Sequence, residues 1–208
     1  ILRAFPPNMR KRGRSNSNAL HMIVRRKIFH VALGSVFLAF IAWTPWLKTP
    51  LLLLLFIGTL LSFAQSVMNI PVVTWILERF DRKDDTIPGE GIITFFSGVL
   101  LVWWIFPAEI ALPVVAAITF GDPAASMVGN LLGGPDLPWN DQKTVSGTAI
   151  FMVASFGVVW ALSGLSAAAV VAVFSSLVES LPFWRTFPFD DNIAVCGATA
   201  LVLWLVLI

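Results

Sequence analysis

The chain has 208 residues, 57% of them hydrophobic and only 12% charged, with a formal net charge of +2. Ordinary soluble domains carry roughly 25% charged residues, so this balance excludes a soluble enzyme and offers no basic surface for nucleic acid. One cysteine, Cys196, excludes an internal disulfide and reads as small packing within an apolar run.

Residues 1–24 read as a basic tail, with Arg3, Arg10, Lys11, Arg12 and Arg14 and no acidic residue. No short apolar core with a small-residue cleavage site follows, so a cleavable signal peptide is not expected. Apolar stretches then recur at 30–43, 51–68, 91–106, 109–120, 147–162, 165–178 and 193–208. Each approaches the ~20 residues that cross a bilayer. With no water in the hydrocarbon, a spanning backbone must bond to itself, and these runs are therefore helices. The expectation is an all-α, polytopic transmembrane bundle of about seven spans, with residues 25–208 as one membrane domain.

Basic residues in short loops mark the cytoplasmic side. The tail, together with Arg25, Arg26 and Lys27, places the N-terminus there. With alternating spans, every charged residue except Lys48 and Glu109 falls on that face. Trp43, Trp46, Trp103, Trp104, Trp160 and Trp204 are expected at the opposite interface as an aromatic belt. Acidic residues contribute little to orientation, so their concentration on one face calls for another explanation.

Five polar segments carry that question. In RRKIFHVALG (25–34), Lys27, His30 and Gly34 share one helical face. Lys27 reads either as a snorkelling anchor or, with His30, as part of a polar cavity at the mouth of the first span. Glu90 precedes the third span. In GDPAASMVGN (121–130), the order Gly121, Asp122, Pro123 suits a helix break with an N-cap aspartate. Ala125, Ser126 and Gly129 keep the following helix slim. Such a break exposes N–H groups to a phosphate, and a carboxylate beside a phosphate implies Mg²⁺ between them; a capped turn with no ligand is the alternative. GGPDLPWNDQKTVSGTA (133–149) reads as a loop. It is no Walker P-loop, because Gln142 precedes Lys143, but Lys143 can supply a point charge to a phosphate or simply anchor the interface. Glu179 and the run Asp190, Asp191, Asn192 bracket a short loop, as metal ligands, as a proton acceptor, or as plain helix caps.

Taken together, RKIFHVALG, GDPAASMVGNLLG, KTVSGTA and Glu179 with Asp191–Asn192 resemble the CTP-dependent membrane lipid kinases, the group of dolichol kinase, phytol kinase and CTP-type diacylglycerol kinase. The resemblance runs from about residue 25 to the C-terminus. It implies transfer of the γ-phosphate of CTP, with Mg²⁺, to the hydroxyl of a membrane lipid alcohol at the cytoplasmic face. Nucleotide binding then falls on Arg26, Lys27, Gly121, Gly129, Gly133, Lys143, Gly147 and Asn192, metal binding on Asp122, Glu179 and Asp191, and catalysis on Asp122, Lys143, Glu179, Asp191 and His30. Ser146 departs from relatives that often carry an acidic residue there.

Two other classes compete. The phosphatidate cytidylyltransferases share a similar Gly-Asp…Gly…Lys-Thr pattern, but their late signature, closing on Asp-Arg-x-Asp, does not occur after Lys143. A small transporter also uses broken helices and intramembrane charge, yet the spans lack ionisable residues at mid-depth and no inverted repeat is visible.

Overall fold

The computed structural model describes residues 17–81, 87–182, 185–186 and 189–207. The basic residues of the tail from Arg3 to Arg14, and Arg82 to Asp85, lie outside them. Helix α1 runs Ser17–Trp43, and a single 3₁₀ turn started by Pro45 leads into α2, Lys48–Val67. Then come α3 (Pro71–Phe80), α4 (Glu90–Ile105) and α5 (Ala108–Leu132). A short antiparallel hairpin, β1 (Asp136–Leu137) with β2 (Asn140–Thr144), precedes α6 (Val145–Ser163) and α7 (Leu165–Ser180). A second hairpin, β3 (Arg185–Thr186) with β4 (Phe189–Asp190), leads into α8 (Asp191–Leu207).

Each of the seven apolar stretches, to within one residue at its end and so far as it is described, lies in a helix. Among the described residues, four helical segments, Met22–Trp43, Pro45–Val67, Ala108–Leu132 and Val145–Ser163, are long and apolar enough to cross a membrane; α4, α7 and α8 are shorter apolar helices. The surface agrees with a lipid solvent. Leu52, Leu53, Leu54, Phe56, Ile57 and Leu60 of α2 are all exposed, a patch that water would not tolerate on a soluble monomer.

Helix α5 is the hub, packing against α1, α4, α6, α7 and α8. Small residues permit this. Gly121, Ala125 and Gly129 recur every fourth position on the side of α5 that meets Gly147, Phe151 and Ser155 of α6. A Cβ on Gly121 would lie 2.4 Å from Ser155 Oγ, and one on Gly34 of α1 would lie 2.3 Å from Thr119 Oγ1. Without a hydrophobic drive between helices in lipid, such close approach is what holds them.

Three expectations are corrected. The chain does not break at Gly121–Asp122: α5 is continuous through both Pro113 and Pro123. Pro123 forfeits only the bond to the Thr119 carbonyl, and packed neighbours make that loss tolerable in a membrane helix. The stretch from 133 onward is a pinned hairpin rather than an open loop, since Val145 N–H bonds to the Pro135 carbonyl at 3.0 Å and Ser146 Oγ–H to the Gly133 carbonyl at 2.5 Å. Trp103 is buried in the core, with Lys48 Nζ 5.6 Å from its ring centre, whereas Trp43, Trp46, Trp104, Trp160 and Trp204 are exposed.

Helix α3 was not legible as a helix, being short and charged at its end. Pro71 starts it, and Gln65 accepts from Ile70 N–H at 2.9 Å to fix the corner after α2. Val72, Trp75 and Ile76 share its exposed side, with the Arg79 guanidinium 3.8 Å from the Trp75 ring centre. That is the pattern of a helix lying in the membrane interface.

Candidate active site

The crossing of α1 and α5 at Gly34 and Thr119 sets the first polar group. Two turns before Gly34, Lys27 Nζ bonds Asp122 Oδ2 at 2.7 Å, joining residues 95 apart in sequence. Lys27 is only 9% exposed, so its charge depends on that partner. The other Asp122 oxygen has a weak contact, Ser126 Oγ at 3.5 Å. Because α1 begins by Ser17, upstream of the expected first span, Arg25, Arg26 and Lys27 are helical.

A cleft opens beside this pair. Its polar side comprises Arg26, Lys27 and His30 of α1, Asp81 after α3, Asp122 and Asn192. Its apolar side comprises Phe29, Leu33, Phe80, Ile92 and Phe95. The His30 ring lies 4.1 Å, centre to centre, from Phe95, and Phe29 lies 4.7 Å from Phe80. Five of the residues selected from sequence thus share one cavity; the apolar wall was missed, because a phenylalanine in an apolar helix gives no signal of which side it faces.

The second polar group forms where β2 meets the ends of α7 and α8. Lys143 Nζ contacts Glu179 Oε1 and lies 3.4 Å from Asp191 Oδ2. The hairpin is held there by Asn140 Nδ2, which donates to the Ser180 carbonyl at 3.0 Å, and by Thr144, whose hydroxyl caps α6 by accepting from Gly147 N–H at 3.1 Å. Burial by itself would lower the Lys143 pKa, but the Glu179 and Asp191 carboxylates outweigh it and raise the pKa above its ordinary value. Asp122 adds to the same effect, so the two polar groups lie within electrostatic reach of one another.

A buried triad links the groups. Thr94 Oγ1 donates to Asp190 Oδ2 at 2.6 Å, and Asn192 Nδ2 reaches the same oxygen at 3.0 Å. Asp190 Oδ1 accepts from Asp191 N–H at 2.7 Å, capping α8. One residue thereby orients Asn192, in the cleft, and Asp191, beside Lys143. In the sequence Asp190 read as a metal ligand, a proton acceptor or a helix cap, not as the residue that orients its two neighbours, and Thr94 gave no signal. Glu90 sits at the start of α4, where Ile87 N–H approaches its carboxylate at 3.4 Å, and it does not line the cleft.

The glycines are structural in these contacts. Gly121, Gly129 and Gly147 lie in the α5–α6 seam, and Gly133 ends α5 with φ +64°. The exposed N–H groups that a break at Asp122 would have offered to a phosphate are absent, since those groups sit within a helix.

Against this geometry stand the comparisons. A probable chloroplastic phytol kinase 3 of Glycine max is 23% identical over 200 residues, 86% of this chain and 61% of the relative. A chloroplastic farnesol kinase of Arabidopsis thaliana is 31% identical over 124 residues, 53% of this chain and 39% of the relative. A probable chloroplastic phytol kinase 2 of Oryza sativa subsp. japonica is 28% identical over 205 residues, 83% of this chain and 62% of the relative. The chain resembles the isoprenoid-alcohol kinases. Its matches span about two fifths to three fifths of these relatives' own lengths. Neither a protein-family model nor a solved structure matches it.

The lipid-kinase resemblance implies Mg²⁺. Among the described residues no three acidic, histidine or cysteine side chains gather as a ligand set, so Asp122, Glu179 and Asp191 do not form a single cage: each carboxylate meets a lysine instead. Mg²⁺ needs only one or two protein carboxylates when phosphate and water complete its shell. Glu179 Oε2, buried and without a hydrogen-bond partner among the described residues, suits that role.

Proposed function

We propose that this chain is a multi-pass membrane kinase that transfers the γ-phosphate of CTP to the hydroxyl of a lipid alcohol, of the phytol, polyprenol or diacylglycerol type. We place the reaction at the face that carries the basic tail, the cytoplasmic one by the charge rule, with seven spans. The observation that carries the reading is the cleft itself, where a buried lysine–aspartate pair and an apolar wall share one cavity. An amphiphile with a reactive hydroxyl needs both. The relatives named for phytol and farnesol support the acceptor class.

Phosphoryl transfer is largely positioning and charge stabilisation. In this reading Lys27 and Lys143 exchange their carboxylate partners for phosphate oxygens, and Arg26 and Asn192 orient the nucleotide. Glu179, with Asp122 or Asp191, would hold Mg²⁺, which supplies charge neutralisation on the phosphates. The alcohol oxygen forms a bond to the γ-phosphorus as the β–γ bridging bond breaks, releasing CDP. The alcohol proton passes to His30 or to one of the carboxylates. The broken helix at Asp122, on which the transporter reading drew, is absent from the continuous α5.

The test supplies membranes with CTP labelled at the γ-phosphate or in the cytidine ring. Label in lipid from the γ-position alone is the expected result. Label from the ring would establish a cytidylyltransferase, and label from neither would remove CTP as the donor and favour the transporter reading.

A further inference from the structure

We infer that Thr94 and Asp190 are positioning residues: they hold the Asn192 amide by its nitrogen end, so that its carbonyl oxygen is offered to the cleft as a neutral acceptor for a donor group of the substrate. This deepens the kinase reading and rests on it for what the cleft receives. Asn192, in the first turn of α8, lines the cleft with Arg26, Lys27 and His30. Its Nδ2 lies 3.0 Å from Asp190 Oδ2 and 3.3 Å from Thr94 Oγ1. Chemistry fixes which end of the amide faces inward. The Asp190 carboxylate only accepts, and Thr94 spends its single O–H on that carboxylate at 2.6 Å. An amide oxygen turned inward would meet two acceptors and no donor, so Oδ1 faces away from the triad. No described residue donates to Oδ1, yet it is not one of the side-chain atoms buried without a partner. It is open, and the opening at Asn192 is the cleft.

Packing explains why Thr94 reaches this point. A Cβ on Gly98 of α4 would lie 2.9 Å from the Asn192 carbonyl oxygen and 3.1 Å from Cys196 Sγ. A bare glycine lets α4 and α8 approach that closely. Thr94, four residues earlier on the same face of α4, is thereby brought against Asp190. What Oδ1 binds follows from its own charge. Phosphate oxygens are acceptors too and go to Arg26 and Lys27. Oδ1 takes an N–H or an O–H instead. On the kinase reading two substrate groups supply one: the 4-amino group of cytosine and the hydroxyl of the acceptor alcohol. Uracil has a carbonyl where cytosine has its amine, and would set acceptor against acceptor. Asn192 is only 8% exposed, so water compensates poorly for such a mismatch.

The test uses the full chain in nanodiscs with γ-labelled CTP or UTP and farnesol, scoring farnesyl phosphate and inorganic phosphate separately. Thr94→Val keeps the shape of the side chain and removes its hydroxyl; Asn192→Leu removes the acceptor. Each should lower the CTP-over-UTP ratio of kcat/KM about tenfold, and Thr94→Ser should restore it, which assigns Oδ1 to the base. If that ratio holds while both variants divert about tenfold more label from farnesol to water, Oδ1 belongs to the acceptor hydroxyl. Active variants in which neither ratio moves overturn the inference, because a purely structural triad would change yield and overall rate but not selectivity. A parent chain that turns over neither nucleotide retires the kinase reading. The role of Oδ1 then stands if CTP raises the parent's melting temperature more than UTP does and Thr94→Val abolishes the difference, and falls with the kinase reading if not.

Discussion

The two lysine-centred groups look alike and differ in charge balance. Lys27 faces one carboxylate, Asp122, across two long helices. Lys143 faces two, Glu179 and Asp191, where a hairpin meets two helix ends. The first is neutral as a pair and opens on an apolar wall. The second sets two carboxylates on one lysine and holds a buried Glu179 oxygen with no hydrogen-bond partner among the described residues. On the kinase reading proposed above, the Lys27 pair would serve the acceptor and its phosphate, and the Lys143 group the metal.

Substitutions can break that division. Asp122→Asn should lower turnover by about a thousandfold, comparable to removing a principal electrostatic contact, and cost about 3 kcal/mol by stranding Lys27. The double variant Lys27→Met with Asp122→Leu should recover much of the stability and none of the activity; recovered turnover would make the pair merely structural. Next in size, Lys143→Met leaves two carboxylates without their cation and should reduce activity about a hundredfold. Adding Glu179→Gln should raise its melting temperature again, since like charges no longer face each other.

Stabilisation by Mg²⁺ in the presence of CTP sharpens the contrast. Glu179→Gln should abolish most of the thermal shift, whereas Lys27→Met should retain a metal-dependent part; equal losses would merge the two groups into one site. A smaller effect is expected at the helix crossing beneath the Lys27 pair. Gly34→Ala drives a methyl into Thr119 and should cost about 1–3 kcal/mol, while Gly58→Ala, with nothing within 4 Å, should be nearly neutral. The smallest effect concerns pH. The Lys143 pKa is raised above 10.5, so its stabilising charge is complete below that value and is lost only as pH climbs through the higher folded pKa. Between pH 7 and 9 the Lys143→Met variant should therefore differ from the parent chain by a constant melting-temperature gap.

The polar residues that stood out in the sequence did so for a local reason. Lys27, His30, Asp122, Lys143, Glu179 and Asp191 stood out because charge in an apolar chain is costly wherever it lies. The same locality produced the errors. Gly121, Asp122 and Pro123 read as a helix start because those residue types cap helices; yet α6 packs against Gly121 and α5 runs on unbroken. Thr94 and Phe80 gave no signal, because a hydroxyl or a ring in an apolar helix acquires its role only from what lies opposite.

By itself, then, the sequence determined the helical membrane class, the approximate positions of the seven apolar helices and the polar residues that need partners, since all three follow from solvent transfer along the chain. Only the tertiary structure decided that Lys27 pairs with Asp122 and Lys143 with Glu179 and Asp191, that the glycines serve packing, and that an aromatic wall adjoins the charges. Those pairings join residues 36 to 95 positions apart, and they exist because small side chains on α5 let its neighbours approach closely enough to meet.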